Sequence, residues 1–218
     1  MGSQERIKRV KEQRRIDILD AAEKVFFSRG FDAKLSDIAE KAELAKGTIY
    51  LYFNSKEDLY FSVLLRGLDI LAEMFENAFD ETLQPAEQLR EYSNVYASYF
   101  RKHRPFFRML YRYEHPKIRT QVSPTILHQL SNRSKGLLTF VAEAIKRGIR
   151  EGVFHPDLDP LQATIVLWSS LSGILREIDL NENDPLWSPS DLQAPLSGVN
   201  LEELYTLSFD LLLRGLSA

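Results

Sequence analysis

The chain has 218 residues, 44% of them hydrophobic, no cysteine and a formal net charge of −3. That length suits one large domain or two small ones. The missing thiols exclude disulfides, thiolate metal sites and cysteine nucleophiles and fit a reducing, cytoplasmic setting. No apolar run approaches the ~18 residues of a membrane span, and the polar, basic start MGSQERIKRVKEQRR is unlike a signal peptide.

The charge is unevenly placed. Residues 1–56 hold 12 Lys and Arg against 9 Asp and Glu, while the remainder holds 16 against 22. A basic head on an acidic body concentrates a positive field at one end. Apolar spacing is helical almost everywhere, with neither period-two alternation nor a hairpin signal, so the expectation is an all-α protein. In chain order, a first helix over 12–29 gathers Ile18, Leu19, Ala22, Val25 and Phe26 on one side and stops at Gly30. Ser36 is a candidate cap for a short second helix over 36–43, with Asp37 in its first turn and Ile38, Ala39 and Ala42 inward. A third helix is expected over 47–53. Ser55, with Asp58 at the reciprocal capping position, starts a fourth that Phe61, Leu64, Leu68, Leu71, Phe75 and Phe79 follow to about residue 80. Further helices are expected near 86–102, 104–114, 124–151, 160–178 and 201–216, Pro160 suiting a first helical position. Residues 179–200, with three prolines, read as a long loop.

Residues 36–43 and 47–53 have the size of a helix-turn-helix pair, whose second helix enters the DNA major groove. Ile49 and Phe53 share a face and can pack inward. Thr48, Tyr50, Leu51 and Tyr52 cannot all follow them. Those left outside can touch phosphate oxygens and thymine methyls. Gly47 lets backbone N–H groups approach a phosphate, and Lys46 and Lys56 bracket the helix. A small three-helix core with half-exposed tyrosines is the other arrangement the pattern allows.

The run ILDAAEKVFFSRGFDAKLSDIAEKAELAKGTIYLYFNSKEDL, residues 18–59, resembles the DNA-binding domain of the TetR family of bacterial transcriptional regulators. The resemblance rests on the Gly30-Phe31 helix end, the pair Ile38-Ala39, and Lys46-Gly47-Thr48 followed by Tyr50, Tyr52-Phe53, Lys56 and Leu59. It implies a DNA-binding domain over 1–54 and a helical ligand-binding and dimerisation domain over 55–218. It places Lys46, Gly47, Thr48, Tyr50, Leu51, Tyr52 and Lys56 where such proteins contact DNA. Lys34 and Ser36 fall where the second helix meets the backbone. Two positions depart from the family pattern: Glu43 stands where glycine is frequent in the turn, and Ala45 where a serine or threonine cap is frequent.

The resemblance further implies a homodimer on a pseudo-palindromic duplex operator, a small-molecule effector and a bacterial cytoplasmic location. The expected function is a repressor released by an apolar or amphipathic effector such as a fatty acyl-coenzyme A. The alternative is an all-α dimeric binding protein with a vestigial helix-turn-helix. Candidate dimer residues are Ile165, Ser169 and Ser172, with Leu204, Leu207 and Leu211. In HRPFFRMLYRYEHP, residues 103–116, aromatic side chains crowd one helix, and Arg101, Arg104, Arg108 and Arg112 step by three or four. This is either a core helix with a solvated basic face or the wall of an anion pocket. The candidate lining is Tyr96, Phe100, Arg104, Phe107, Arg108, Tyr111, Phe140 and Trp168. His103, His115, His128 and His155 lack metal-ligand spacing, and no phosphate loop or hydrolase motif occurs, so neither cofactor nor enzymatic activity is expected.

Overall fold

The computed structural model describes residues 2–113, 118, 120–183 and 200–218, without the side chains of 3, 111–113, 181–183 and 201. Among them the structure is all-α. In order come α1 (Ser3–Arg29), a 3₁₀ turn (Gly30–Asp32), α2 (Leu35–Lys41), α3 (Lys46–Ile49), α4 (Lys56–Asn77), α5 (Pro85–Lys102), α6 (Arg104–Tyr113), α7 (Pro124–Arg150), α8 (Pro160–Asn183) and α9 (Leu201–Leu216). The chain forms two compact units, residues 1–70 with 103–134, and residues 71–102 with 135–218. The boundaries thus fall inside α4, between α5 and α6, and inside α7.

Several expectations are corrected. The first helix begins at Ser3, not near residue 12, because Lys, Arg, Glu and Gln are good helix formers even where no apolar period marks them. Lys34, not Ser36, caps α2: its backbone N–H donates to Asp37 Oδ2 at 3.2 Å. Burial of Leu35 draws that residue into the helix and shifts the start by one or two positions. The helix of the reading segment is four residues long, and the rest of it continues as turns. The fourth helix ends at Asn77, leaving Phe79 56% exposed. Residues 179–183, expected in a loop, complete α8; the loop residues 184–199 lie outside the described residues.

In the first unit, Ile18, Ala22 and Phe26 of α1, Ile38 of α2, Ile49 of α3 and Leu59, Phe61 and Leu64 of α4 are all buried, and α2 packs on both α1 and α3. Tyr60 is the aromatic centre, its ring edge-on to Phe26 at 4.9 Å and to Phe31 at 5.0 Å. Gly67 permits the close approach of Phe106: a Cβ there would lie 2.5 Å from its ring. Ser55 caps α4 by accepting from Asp58 N–H at 2.9 Å. The reciprocal half of that capping arrangement is absent. The buried Asp58 carboxylate instead accepts from Ser123 N–H at 2.7 Å and Asn54 Nδ2 at 3.2 Å.

In the second unit, α5 packs on α9 and α9 on α8. Phe75 and Tyr92 stack at 5.0 Å, and Phe140 stands edge-on to Phe75. Tyr205 donates to the Ser93 carbonyl at 2.9 Å. The Arg90 guanidinium reaches Asp210 at 2.7 Å and lies over the Phe209 ring. Buried Gln88 accepts from Asp80 N–H and donates to the Ala78 carbonyl, holding the turn after α4.

Candidate nucleic-acid interface and ligand cavity

The turn between α2 and α3 closes on backbone hydrogen bonds. Leu44 N–H reaches the Ala39 carbonyl at 2.9 Å and Glu43 N–H the Glu40 carbonyl at 3.1 Å. This is the paired arrangement that ends a helix with a left-handed residue. Here that residue is Glu43, at φ 56°, where a side chain costs on the order of 1 kcal/mol relative to the right-handed region. Nearby, Arg29 donates to Asp37 at 2.7 Å and, with the Lys34 N–H, holds that carboxyl below the usual carboxylate range.

Ala45 is the N-cap of α3 and offers no side-chain acceptor. From there the segment splits cleanly. Ile49 and Phe53 are buried, while Tyr50 and Leu51 are 50% and 75% exposed; Thr48 and Tyr52 are intermediate. Lys46 and Gly47 are exposed. A Cβ on Gly47 would meet nothing within 4 Å, so no packing in this chain requires glycine there. Lys34 and Ser36 are exposed at the start of α2. Lys56 has an internal duty as well: its Nζ donates to the Phe31 carbonyl at 2.8 Å and sits over the Phe31 ring.

In the second unit Tyr96 and Trp168 meet at 4.5 Å over a small apolar cavity of about 30 Å³, also lined by Phe75, Tyr92, Leu171 and Phe209. That is room for a water molecule or two. A larger recess of about 560 Å³ is lined by Phe79, Tyr92, Phe140, Ala144, Arg147 and Arg150, among others. Tyr92 lines both, and Phe140 packs on it at 6.0 Å. Of the other candidate lining residues, Phe100 is buried on α5. Phe107 is buried, Arg104 half-buried and Arg108 exposed on α6, in the first unit. The Tyr111 side chain lies outside the described residues, as do those of Arg112 and His115. The sequence reading missed Tyr92, Arg147 and Arg150; the two arginines in the last turns of α7 stand one turn apart, which was a visible signal. Arg147 donates to the Leu83 carbonyl and pairs with Glu151 at 3.5 Å.

On α8 and α9, Ile165, Ser169, Leu207 and Leu211 are exposed and Leu204 is half-buried. Ser172 turns inward, 2.8 Å from the Tyr96 hydroxyl. Leu161 and Val166 join the exposed apolar set at 54% and 53%. Among the described residues no three His, Asp or Glu side chains gather as a metal site, and no helix is long and apolar enough to cross a membrane.

A short helix pair with an exposed apolar reading face, set before a helical unit with internal cavities, defines a helix-turn-helix transcriptional regulator. Residues 18–63 match the family described as bacterial regulatory proteins, tetR family. The transcriptional repressor KstR2 of Mycobacterium tuberculosis H37Rv is 30% identical over 149 residues, 67% of this chain and 72% of that protein. The crystal structure of the TetR family regulator PfmR from Thermus thermophilus superposes with a TM-score of 0.65 at 27% identity, covering 92% of this chain and 99% of that one. FadR from Bacillus subtilis, in complex with stearoyl-CoA, shares the fold with a TM-score of 0.70 at 21% identity, covering 92% and 98%. The chain belongs to the tetR family of bacterial regulatory proteins. It is a DNA-binding transcriptional regulator and not an enzyme.

Proposed function

We propose that this regulator is a homodimeric repressor, acting in the bacterial cytoplasm, that leaves a pseudo-palindromic operator when an amphipathic anion binds its second unit. The observation that carries the reading is the split of residues 46–53. Tyr50 and Leu51 are held out in water although Ile49 and Phe53 beside them are buried. A large apolar side chain kept exposed on a short, well-anchored segment suits contact with base edges and thymine methyls. Lys46, Gly47, Thr48 and Tyr52 supply the adjoining backbone contacts, and Lys34, Ser36 and Lys56 flank them.

Two such segments must lie about 34 Å apart to read successive major grooves. The exposed faces of α8 and α9, with Ile165, Ser169, Leu207 and Leu211, join the protomers and set that spacing. The effector is of the fatty acyl-coenzyme A kind: aromatic rings at Tyr92, Tyr96, Phe140 and Trp168 suit an apolar chain, and the Arg147 and Arg150 guanidiniums suit its anionic end. The FadR complex with stearoyl-CoA supports this ligand class. Ligand binding expands the cavity and favours a dimer whose reading segments no longer match the grooves. By linkage, DNA weakens effector binding by the same factor.

Fluorescence anisotropy on duplex DNA from upstream of the protein's own gene tests the first half. Tight binding that Leu51→Ala weakens at least tenfold is expected. Indifference to that substitution overturns it. For the second half, stearoyl-coenzyme A should raise the melting temperature and lower DNA affinity; no melting shift at saturating ligand sinks the effector class.

A further inference from the structure

The N-terminal residues of α1 project beyond the core that α1 helps to build. Ile18 is the first fully buried side chain of the helix, and residues 4–14 are all exposed. From Arg15 back to Ser3 the overhang is about 18 Å long at 1.5 Å per residue. Its cations fall on two sides. Lys8, Lys11 and Arg15 step by three and four and continue, at the same spacing, into Ile18, Ala22 and Val25, the buried face of α1. Arg14 lies beside this row, paired with Asp17 at 4.0 Å. Arg6 and Arg9 lie away from it, since each residue turns about 100° around the axis, while Glu5 and Glu12 flank Lys8 at spacings of three and four. The row also faces a known neighbour: the Arg15 guanidinium rests over the ring of Phe53, 5.1 Å from its centroid, at the end of the reading segment. Lys8 and Lys11 thus extend, along α1, the row whose Arg15 meets the end of the reading segment.

We propose that this overhang is a phosphate rail. The Lys8, Lys11 and Arg14 side chains run along one strand of the duplex beside the groove that residues 46–53 enter. Its length spans about five phosphates at 3.4 Å per nucleotide of strand. The rail reads no sequence; it raises affinity and salt sensitivity on any duplex. It also explains how a chain with a net charge of −3 binds a polyanion: the cations it has are placed where the phosphates run. The inference rests on DNA binding by residues 46–53 but not on which operator they read.

The test compares two full-length variants with equal charge loss, Lys8→Ala/Lys11→Ala on the rail and Arg6→Ala/Arg9→Ala off it. Alanine favours helix more than the residues it replaces, and circular dichroism confirms retained helicity. Binding is measured against salt on the upstream duplex and on a scrambled duplex of equal length. Each phosphate contact contributes about 0.9 to the slope of log affinity against log salt. The rail variant should lose about 3 to 4 from that slope when both protomers engage, on both duplexes alike. The off-rail variant should lose less than about 1. Equal losses from the two variants, or no loss from the rail variant, overturn the rail. A wild-type protein that fails to distinguish the upstream from the scrambled duplex overturns the operator reading instead, with the two variants still separating.

Discussion

Gly47 and Glu43 are four residues apart and are governed by opposite constraints. Glu43 occupies a left-handed position where glycine would be relaxed. Gly47 occupies an open position where any side chain would fit the free protein. Folding alone would favour the reverse assignment, because glycine in a helix costs up to about 1 kcal/mol against alanine. We propose that the glycine answers to a partner that comes close to the backbone. Gly47→Ala should leave the melting temperature equal or higher while weakening DNA binding at least tenfold; a variant that binds as well as wild type would remove that explanation. Glycine as such is legible in the sequence, but whether a glycine answers to the chain or to a ligand depends on what surrounds it, and that is a tertiary fact.

At the scale of elements, the helix starts from residue 85 onward follow the sequence closely, because prolines at 85, 124 and 160 mark three of them, while α8 runs five residues past its expected end. The start of α1 shifted through helix propensity alone, whereas two capping expectations gave way to packing. Leu35 is buried, so α2 starts before Ser36. Asp58 serves Ser123 and Asn54 across the first unit instead of its own helix start. The contact of α5 with α9 is similarly invisible in either helix alone. It is anchored by Tyr205, which burial pushes up to about 12, offset in part by the Ser93 hydrogen bond and the Arg101 charge. The unfolded phenol titrates near 10. The folded value is the higher, so the stabilisation from the neutral phenol is complete below about pH 10 and is lost as pH rises towards 12. Tyr205→Phe should be less stable at pH 8 by about 1 kcal/mol, the scale of one internal hydrogen bond. Between pH 10 and 12 its urea midpoint should fall less steeply than that of wild type. Parallel falls would show that Tyr205 does not carry the alkaline transition.

For the whole molecule, the exposed apolar row on α8 and α9 is the feature most at odds with a free protomer. Leu207 and Leu211 are 54% and 57% exposed one turn apart, with Ile165 and Val166 on the neighbouring helix. Leu207→Lys/Leu211→Lys should yield a folded monomer by sedimentation and reduce operator affinity at least a hundredfold, since one reading segment cannot span two grooves. A variant that stays dimeric would place the interface elsewhere.

What the amino-acid sequence determined by itself was the helical class, most helix starts and the inward pair Ile49 and Phe53 of residues 46–53. Those properties follow from local propensity and from spacing along one helix, which a linear pattern records in full. Only the tertiary structure decided which aromatic residues line a cavity, that Ser172 serves Tyr96 within the second unit, and that Arg15, in the row of Lys8 and Lys11, rests over Phe53. A side chain's exposure depends on residues tens or hundreds of positions away, and no periodicity within one helix encodes what the next helix covers.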